Sequence, residues 1–230
     1  MHEEFTLNLN GAATVRLLDS GWSSCLQETC SRLKSIGQRH RVDGQQALVR
    51  RLRRTRPSTY EHCLRVARSS RLTGRAMGFD TTRLQQLSAT AMMHDIGKIL
   101  VPESVLNRPC KPTRFELFLL HLHPSLGALL TSYFNLSAEM RVRTEHHHER
   151  WDGRGYPHRL GSTDIPLMAR IVQVADAYDA MTAKRPYNLP RAHADAVREL
   201  RAESGKQFDP RVVEAFLDAY QSGGEGWSAV

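Results

Sequence analysis

The sequence predicts an all-α fold: one helical bundle with a short helical N-terminal extension. Apolar residues recur at i, i+3, i+4 and i+7, as in Ile171, Val174, Ala175 and Tyr178, which is the stripe of a packed helix. Cap residues, glycines and prolines punctuate these stretches. No strand-like alternation and no internal repeat is read in any segment. At 230 residues and 40% hydrophobic content, the chain has the size of one generous domain. We divide it into an N-terminal extension over 1–56, partly helical and a candidate for regulation, a catalytic-type domain over 57–222, and a tail over 223–230 with Gly223, Gly224 and Gly226.

The elements follow in order. Residues 1 to about 20 are poorly patterned, like a loose arm. Leu26, Leu33 and Ile36 suggest a short helix and Gln45 to Arg53 another. From Pro57 the pattern sharpens. Ser58 and Glu61 fit a capping box. The helix behind it carries Cys63, Val66, Ala67, Ser70, Gly74 and Met77 on one face, and Gly78 closes it. His62 lies one position off that face. Asp80 caps the next helix, whose buried face is Leu84, Leu87 and Ala91. It runs into His94-Asp95-Ile96-Gly97-Lys98, where Gly97 permits a turn that exposes the His-Asp pair. Residues 101–106 form a short turn or helix. Pro112 opens an apolar helix through Phe115, Phe118, Leu119 and Leu122. Pro124 breaks it, because proline disfavours helix at the residue before it, and so sets His123 at a bend. His121 reads as a surface or core histidine. Leu126, Leu129, Leu130 and Phe134 continue the core, and a helix from Ser137 delivers His146-His147-His148. A Gly- and Pro-rich loop spans 152–166. Thr163 or Asp164 caps the following helix, with Pro166 in its first turn and Asp176 and Asp179 on a face beside the packed stripe. Asp209-Pro210 starts a last helix, with Val213, Phe216, Leu217 and Tyr220 facing inward.

Composition narrows the function classes. The mean hydropathy is −0.46, and no apolar run approaches the roughly 20 residues of a membrane span. Met1-His2-Glu3-Glu4 lacks the basic start and apolar run of a secretory signal, so a cytoplasmic location is expected. Cys25, Cys30, Cys63 and Cys110 contain no C-x-x-C pair, which predicts reduced, mostly buried thiols and argues against a cysteine zinc site. A formal charge of +8 favours anionic partners. Much of it lies in Arg50, Arg51, Arg53, Arg54 and Arg56, read first as a solvated helix face. No helix-turn-helix, zinc finger or RNA-binding aromatic pattern accompanies that run, so nucleic acid is not favoured.

The eleven histidines are the abundant ligand type. Three adjacent ones cannot all bury in one apolar core, because neighbouring helical side chains diverge by about 100°. Two at a helix end can turn toward one ion. Along the chain, His62, His94, Asp95, His123, His147, His148 and Asp176 supply five imidazoles and two carboxylates. That is too many ligands for one tetrahedral zinc. It suits two six-coordinate ions bridged by a carboxylate and a water.

From about Pro57 to Leu217 the chain resembles the HD-GYP family, the HD-type metal phosphohydrolases that degrade the bacterial messenger cyclic di-GMP. The residues carrying the resemblance are His62, His94-Asp95-Ile96-Gly97-Lys98, His123-Pro124 with Gly127, and His147-His148-Glu149-Arg150. Further matches are Asp152-Gly153-Arg154-Gly155-Tyr156-Pro157, Ile165-Pro166-Leu167 with Ala169-Arg170-Ile171, 174–180 and Phe208-Asp209-Pro210. The resemblance implies an HD-type bundle in which Asp95 bridges two divalent transition-metal ions, iron or manganese. His62, His94 and Asp176 would complete one coordination shell and His123, His147 and His148 the other. It also implies a bridging hydroxide that attacks phosphorus, Lys98 on the same phosphate, and Gly155, Tyr156 and Pro157 on the guanine and ribose side. Arg185 would touch phosphate or base, and His146 would be a bystander or sit behind the ligands.

Two departures from the family pattern matter. Some members carry a Glu one turn before the first His and bind a third metal; Ser58 stands there, and its capping role leads us to expect two metals. Asn188 replaces a common basic residue of the substrate loop, which weakens phosphate grip. The leading expectation is a cyclic di-GMP phosphodiesterase yielding linear pGpG and, with a second cut, GMP. The alternatives are a cyclic-dinucleotide sensor or adaptor that pairs with a diguanylate cyclase or other signalling protein, and a phosphohydrolase for another cyclic dinucleotide.

Overall fold

The computed structural model describes residues 5–9, 13–17, 43–106, 110–183 and 190–222. The helix expected around 26–36, Cys25, Cys30, the side chain of Phe115, Arg185, Asn188 and the glycine tail lie outside the described residues. The first elements correct the reading that no strand occurs. An antiparallel hairpin pairs β1 (Phe5–Leu9) with β2 (Ala13–Leu17), Phe5 opposite Leu17 and Leu9 opposite Ala13. Phe5, Leu7 and Leu9 do alternate with Thr6 and Asn8, but over five residues that period is easily passed over. From residue 43 onward the described structure is helical, as expected.

Helix α1 (Gly44–Thr55) is capped by Asp43, which accepts a hydrogen bond from the Gln45 amide. Its Leu48 and Leu52 are fully buried against Cys63, Met93, Ile96 and Leu130. Arg50, Arg53 and Arg54 are exposed, the solvated face the sequence suggested. Arg56 instead donates to the Val101 carbonyl at 3.0 Å and pairs with Glu103 at 3.4 Å.

Helix α2 (Pro57–Ala76) begins without the expected capping box. Arg56 is the N-cap with no side-chain hydrogen bond, and Ser58 is exposed in the first turn. Pro57 explains the start: its fixed φ and missing N–H suit the first helical position, so no hydroxyl is needed. The predicted face is buried at Cys63, Val66, Ser70 and Gly74, and the helix ends at Gly78 with φ +74°. Asp80 caps α3 (Thr81–Met93) as predicted, accepting from the Arg83 amide at 2.8 Å. These helices pack with α8 (Leu167–Thr182) and α10 (Pro210–Ser222) around Val66, Leu84, Leu87, Ile171, Val174, Val213 and Phe216. Helix α9 (His193–Ala202), which the sequence reading did not foresee, adds Ala196 and Leu200.

A 3-10 turn (Ile96–Leu100), α4 (Glu103–Leu106), α5 (Arg114–His121), α6 (His123–Tyr133) and α7 (Ala138–Glu145) build the other half. Pro112 does not open α5. Thr113 and Glu116 form a reciprocal capping box there, and Phe118 is 48% exposed while Leu119 is buried. Leu122 separates α5 from α6, with Pro124 in the first turn of α6, so the break falls one residue before His123, which is itself helical. Helix α7 begins where the sequence suggested, and Ser137 caps it by accepting from the Met140 amide. Thr163 and Asp164 sit in a separate 3-10 turn (Ser162–Asp164), and Pro166 is the N-cap of α8, with no side-chain cap, contrary to expectation. Buried Arg170 pairs with Asp209 and locks α8 to the start of α10. No described helix is long and apolar enough to cross a membrane.

Candidate metal centre

Five segments converge on one cluster. His62 comes from α2, His94 and Asp95 from the end of α3, His123 from the first residue of α6, His147 and His148 from the turn after α7, and Asp176 from α8. His94 and Asp95 are 0% and 1% exposed, so the turn buries the pair it was expected to expose. Gly97 serves close approach instead. A Cβ there would strike the His123 carbonyl oxygen and come within 2.6 Å of the Gly127 amide, so glycine lets the 3-10 turn lie against α6.

The donor atoms fall into two triads. One ligand atom each from His62, His94 and Asp176 lie within 4.8 Å of one another, and so do those of His123, His147 and His148. Asp95 stands between them. Its Oδ2 is 3.6 Å from His62 Nε2 and 3.4 Å from His94 Nε2, while its Oδ1 is 3.2 Å from His123 Nε2.

Hydrogen bonds at the outer ring nitrogens fix which nitrogen faces inward. Nδ1 of His94, His123 and His147 bonds to the carbonyls of Ala91, Leu120 and Thr144 at 2.7, 2.6 and 2.6 Å. His62 Nδ1 bonds to Asp179 Oδ2 at 2.6 Å. A carbonyl oxygen only accepts, so Nδ1 of His94, His123 and His147 carries a proton, and each of these rings turns its Nε2 inward. His123 Nε2 and His147 Nε2 then lie 3.1 Å apart. Such a close approach of two inward-facing nitrogens suits a cation between or beside them. His94 Nε2 and Asp95 Oδ1 are buried without a well-aligned hydrogen bond, which fits the same requirement. These donors suit a pair of divalent transition ions.

The electrostatics divide the cluster. Burial alone would raise the Asp95 carboxyl, but the Lys98 ammonium and the His94 imidazole outweigh it and hold Asp95 well below the usual range. Lys98 Nζ lies 2.6 Å from Asp95 Oδ2. Burial likewise opposes ionisation of Asp176, yet His62, at 3.0 Å, holds it down. Burial depresses His62 and His94, and Asp176 and Asp95 respectively override it to raise both. On the other side, burial and His148 push His147 well down, and burial with His123 takes His148 to about 3. His147 and His148 are therefore held neutral.

The loop after the triple histidine closes over this cluster. Buried Glu149 accepts from the amides of His158 at 2.6 Å and Leu160 at 3.1 Å, and Gln173 donates to its carbonyl. At Gly155 a Cβ would lie 2.5 Å from Glu149 Cα, so only glycine allows the loop to fold back this tightly. The loop sets Tyr156 between two histidines: its ring stacks on His148 at 5.0 Å and on His121 at 4.4 Å. Burial pushes the Tyr156 phenol up, so it stays neutral.

The structure brings together His62, His94, Asp95, Lys98, His123, His147, His148 and Asp176, with Gly155 and Tyr156 beside them and Pro157 next in the loop. Arg185 lies outside the described residues. His146 turns away and meets His158 edge to face at 5.2 Å. Sequence reasoning named Asp179, His121 and Glu149 without giving any of them a role at this site. The spacing of Asp179, three residues after Asp176 on one helix, could have marked it as a partner for the same imidazole. Nothing in the sequence announced His121 on Tyr156, because a loop brings them together.

Comparison with known proteins agrees with this geometry. The chain is 39% identical over 164 residues to a cyclic di-GMP phosphodiesterase of Thermotoga maritima, covering 69% of this chain and 44% of that protein. It is 34% identical over 162 residues to a 3′3′-cGAMP-specific phosphodiesterase of Vibrio cholerae, covering 70% of this chain and 31% of the relative. The chain thus spans less than half the length of these relatives. Among solved structures, an HD-GYP-type protein of Bdellovibrio bacteriovorus superposes with a TM-score of 0.60 at 20% identity, covering 87% of this chain and 63% of that one, a likeness of fold. The model of the HD domain family matches residues 34–212. With the match running over most of its length, the chain belongs to the HD domain family, within which its motifs are those of the HD-GYP group.

Proposed function

We propose that this chain is a phosphodiesterase module that hydrolyses cyclic di-GMP to linear pGpG, with GMP as the product of a second cut. The observation that carries the reading is the convergence of ligand atoms in two triads, with one oxygen of Asp95 turned toward each. Two divalent ions held by His62, His94, Asp95 and Asp176 and by Asp95, His123, His147 and His148 would supply Lewis-acid charge and lower the pKa of the attacking water. Iron and manganese suit this mixed imidazole and carboxylate set.

The chain's own residues do the rest. Backbone carbonyls and Asp179 hold the imidazoles in one tautomer, so no reorganisation is needed when a substrate arrives. Lys98, whose side chain is 26% exposed, places its ammonium beside Asp95, where a non-bridging phosphate oxygen can meet it. Tyr156 offers a flat, neutral ring as the wall for a guanine. Arg185 is retained as a phosphate or base contact on the strength of the family resemblance. In the reaction, the water oxygen bonds to phosphorus, the P–O3′ bond breaks, and the water's proton ends on O3′, leaving a 5′-phosphate.

The test is incubation of iron- or manganese-loaded protein with cyclic di-GMP under reducing conditions, followed by chromatography. Appearance of pGpG supports the proposal. Intact cyclic di-GMP with fully loaded protein overturns it, and tight binding without turnover would favour the sensor reading. A second substrate, 3′3′-cGAMP, is favoured by Vibrio cholerae relatives named for it at 34% and 31% identity. The ratio of kcat/KM for the two dinucleotides decides between them.

A further inference from the structure

A second cluster of ligating side chains stands outside the centre described above. Glu145 is the last residue of α7, His146 is its C-cap, and His158 follows the Tyr156–Pro157 turn. His158 Nε2 lies 3.1 Å from Glu145 Oε1, and the His146 and His158 rings meet edge to face at 5.2 Å. One donor atom from each residue lies within 4.8 Å of the other two. His146 Nδ1 is buried and has no hydrogen-bond partner. An unsatisfied buried nitrogen costs roughly 1–3 kcal/mol, so its persistence calls for a partner. Of the three adjacent histidines, His147 and His148 face the Asp95 cluster, while His146 faces His158.

The placement does not depend on the side chains of the trio alone. Buried Glu149 clamps the loop by accepting from the amides of His158 and Leu160, and this backbone grip sets His158 opposite Glu145. Two imidazoles and one carboxylate match the three-protein-ligand set of four-coordinate zinc, with water as the fourth ligand. The cluster is only partly buried, the side chains of His158 and Glu145 being 32% and 21% exposed, so an ion and its water can reach it.

We propose that Glu145, His146 and His158 form a separate divalent-cation site of the zinc class that fastens the Tyr156–Pro157 loop to the end of α7. Its consequence is local. An ion there joins the helix terminus that presents His147 and His148 to the loop that presents Tyr156, and so limits how far the two can part.

The test is zinc binding by the metal-stripped 230-residue chain, measured with a competing chromophoric chelator and by metal content after gel filtration. Wild type is compared with His158→Ala and Glu145→Gln. Both variants keep the backbone hydrogen bonds to Glu149, and circular dichroism checks that they fold alike. Counting the difference in bound zinc isolates this site from any zinc taken up at the Asp95 cluster. The expected result is one equivalent fewer in each variant, or at least a tenfold weaker third equivalent, with a smaller zinc-induced rise in Tm. Equal stoichiometry and affinity in all three proteins would overturn the proposal and leave Glu145–His158 as an ion pair only.

Discussion

His62 is gripped from both ends of its ring. Nε2 faces Asp176 at 3.0 Å and Nδ1 bonds to Asp179 at 2.6 Å, while Arg65 holds the Asp179 carboxylate through Nε at 2.6 Å and Nη2 at 3.0 Å. Burial would raise Asp179, but His62 and Arg65 outweigh it and keep it ionised. A carboxylate behind a ligating imidazole fixes its tautomer and raises its basicity, and losing such a partner typically costs about 10–100-fold in metal affinity. Asp179→Ala should therefore weaken manganese binding by about that factor, and Asp179→Asn should recover part of it. Equal affinity across wild type and both variants, measured by titration, would remove Asp179 from any positioning role. His148 is the contrasting case: it supplies a donor directly and, held at about 3 by burial and His123, is neutral whenever the protein is folded near neutrality. His148→Ala should lose one of the bound ions and nearly all turnover, read by metal content and product formation on the same sample. Retention of both would show that the triad with His123 and His147 is not a metal shell.

At the level of elements, the tight point is the contact between the 3-10 turn and α6. Gly97 has no room for a Cβ against the His123 carbonyl, and Gly127 on the other side would place one 2.8 Å from Thr144 Cγ2. Gly97→Ala must push α6 away, at a cost of roughly 1–3 kcal/mol as for other overpacked cores. Because His123 is the first residue of α6, the same shift should also lower metal occupancy. A denaturation midpoint and metal content like those of wild type would refute this close-packing account. The elements also explain what the sequence could and could not tell. Helix faces were readable because burial imposes a period: Leu84, Leu87, Ala91, Ile171 and Val174 are all buried where the spacing put them. Starts were less readable where several residues could cap. Thr113, one residue beyond Pro112, makes the cap of α5, and Pro57 starts α2 without Ser58, because a cap depends on local φ and ψ that composition does not fix. The hairpin escaped because two strands of five residues carry too few repeats of period 2 to stand out. The clustered histidines and aspartates were legible through a family pattern, whereas Asp179 and His121 act through contacts made only when α8 meets α2 and the loop meets α5.

For the whole molecule, the buried ionisable groups make stability depend on pH and on metal together. In the metal-free protein His147 and His148 have folded values below the ordinary imidazole value of about 6.5. Between these lowered folded values, about 3 for His148, and about 6.5 the unfolded chain binds more protons at these sites, so their contribution to stability rises with pH through that window and is constant outside it. Asp95, Asp176 and Asp179, held below the usual carboxylate range, add stability that is full above about 4 and is lost as pH falls further. His62 and His94 act in the opposite sense. Their folded values are raised, so their contribution is full below about 6.5 and is lost as pH rises through those raised values. The two opposed pairs of histidines should give the metal-free protein a maximum in Tm near the unperturbed imidazole value. Metal loading removes the alkaline limb, because the ion takes over the lone pairs of His62 and His94 that protons otherwise occupy, and binding strengthens as competing protons are withdrawn. Calorimetric scans from pH 4 to 9, with chelator and with manganese, should show a peaked profile in the first case and a plateau extending above pH 7 in the second. Coincident profiles would mean that the histidine cluster neither titrates as an opposed set nor exchanges its protons for metal.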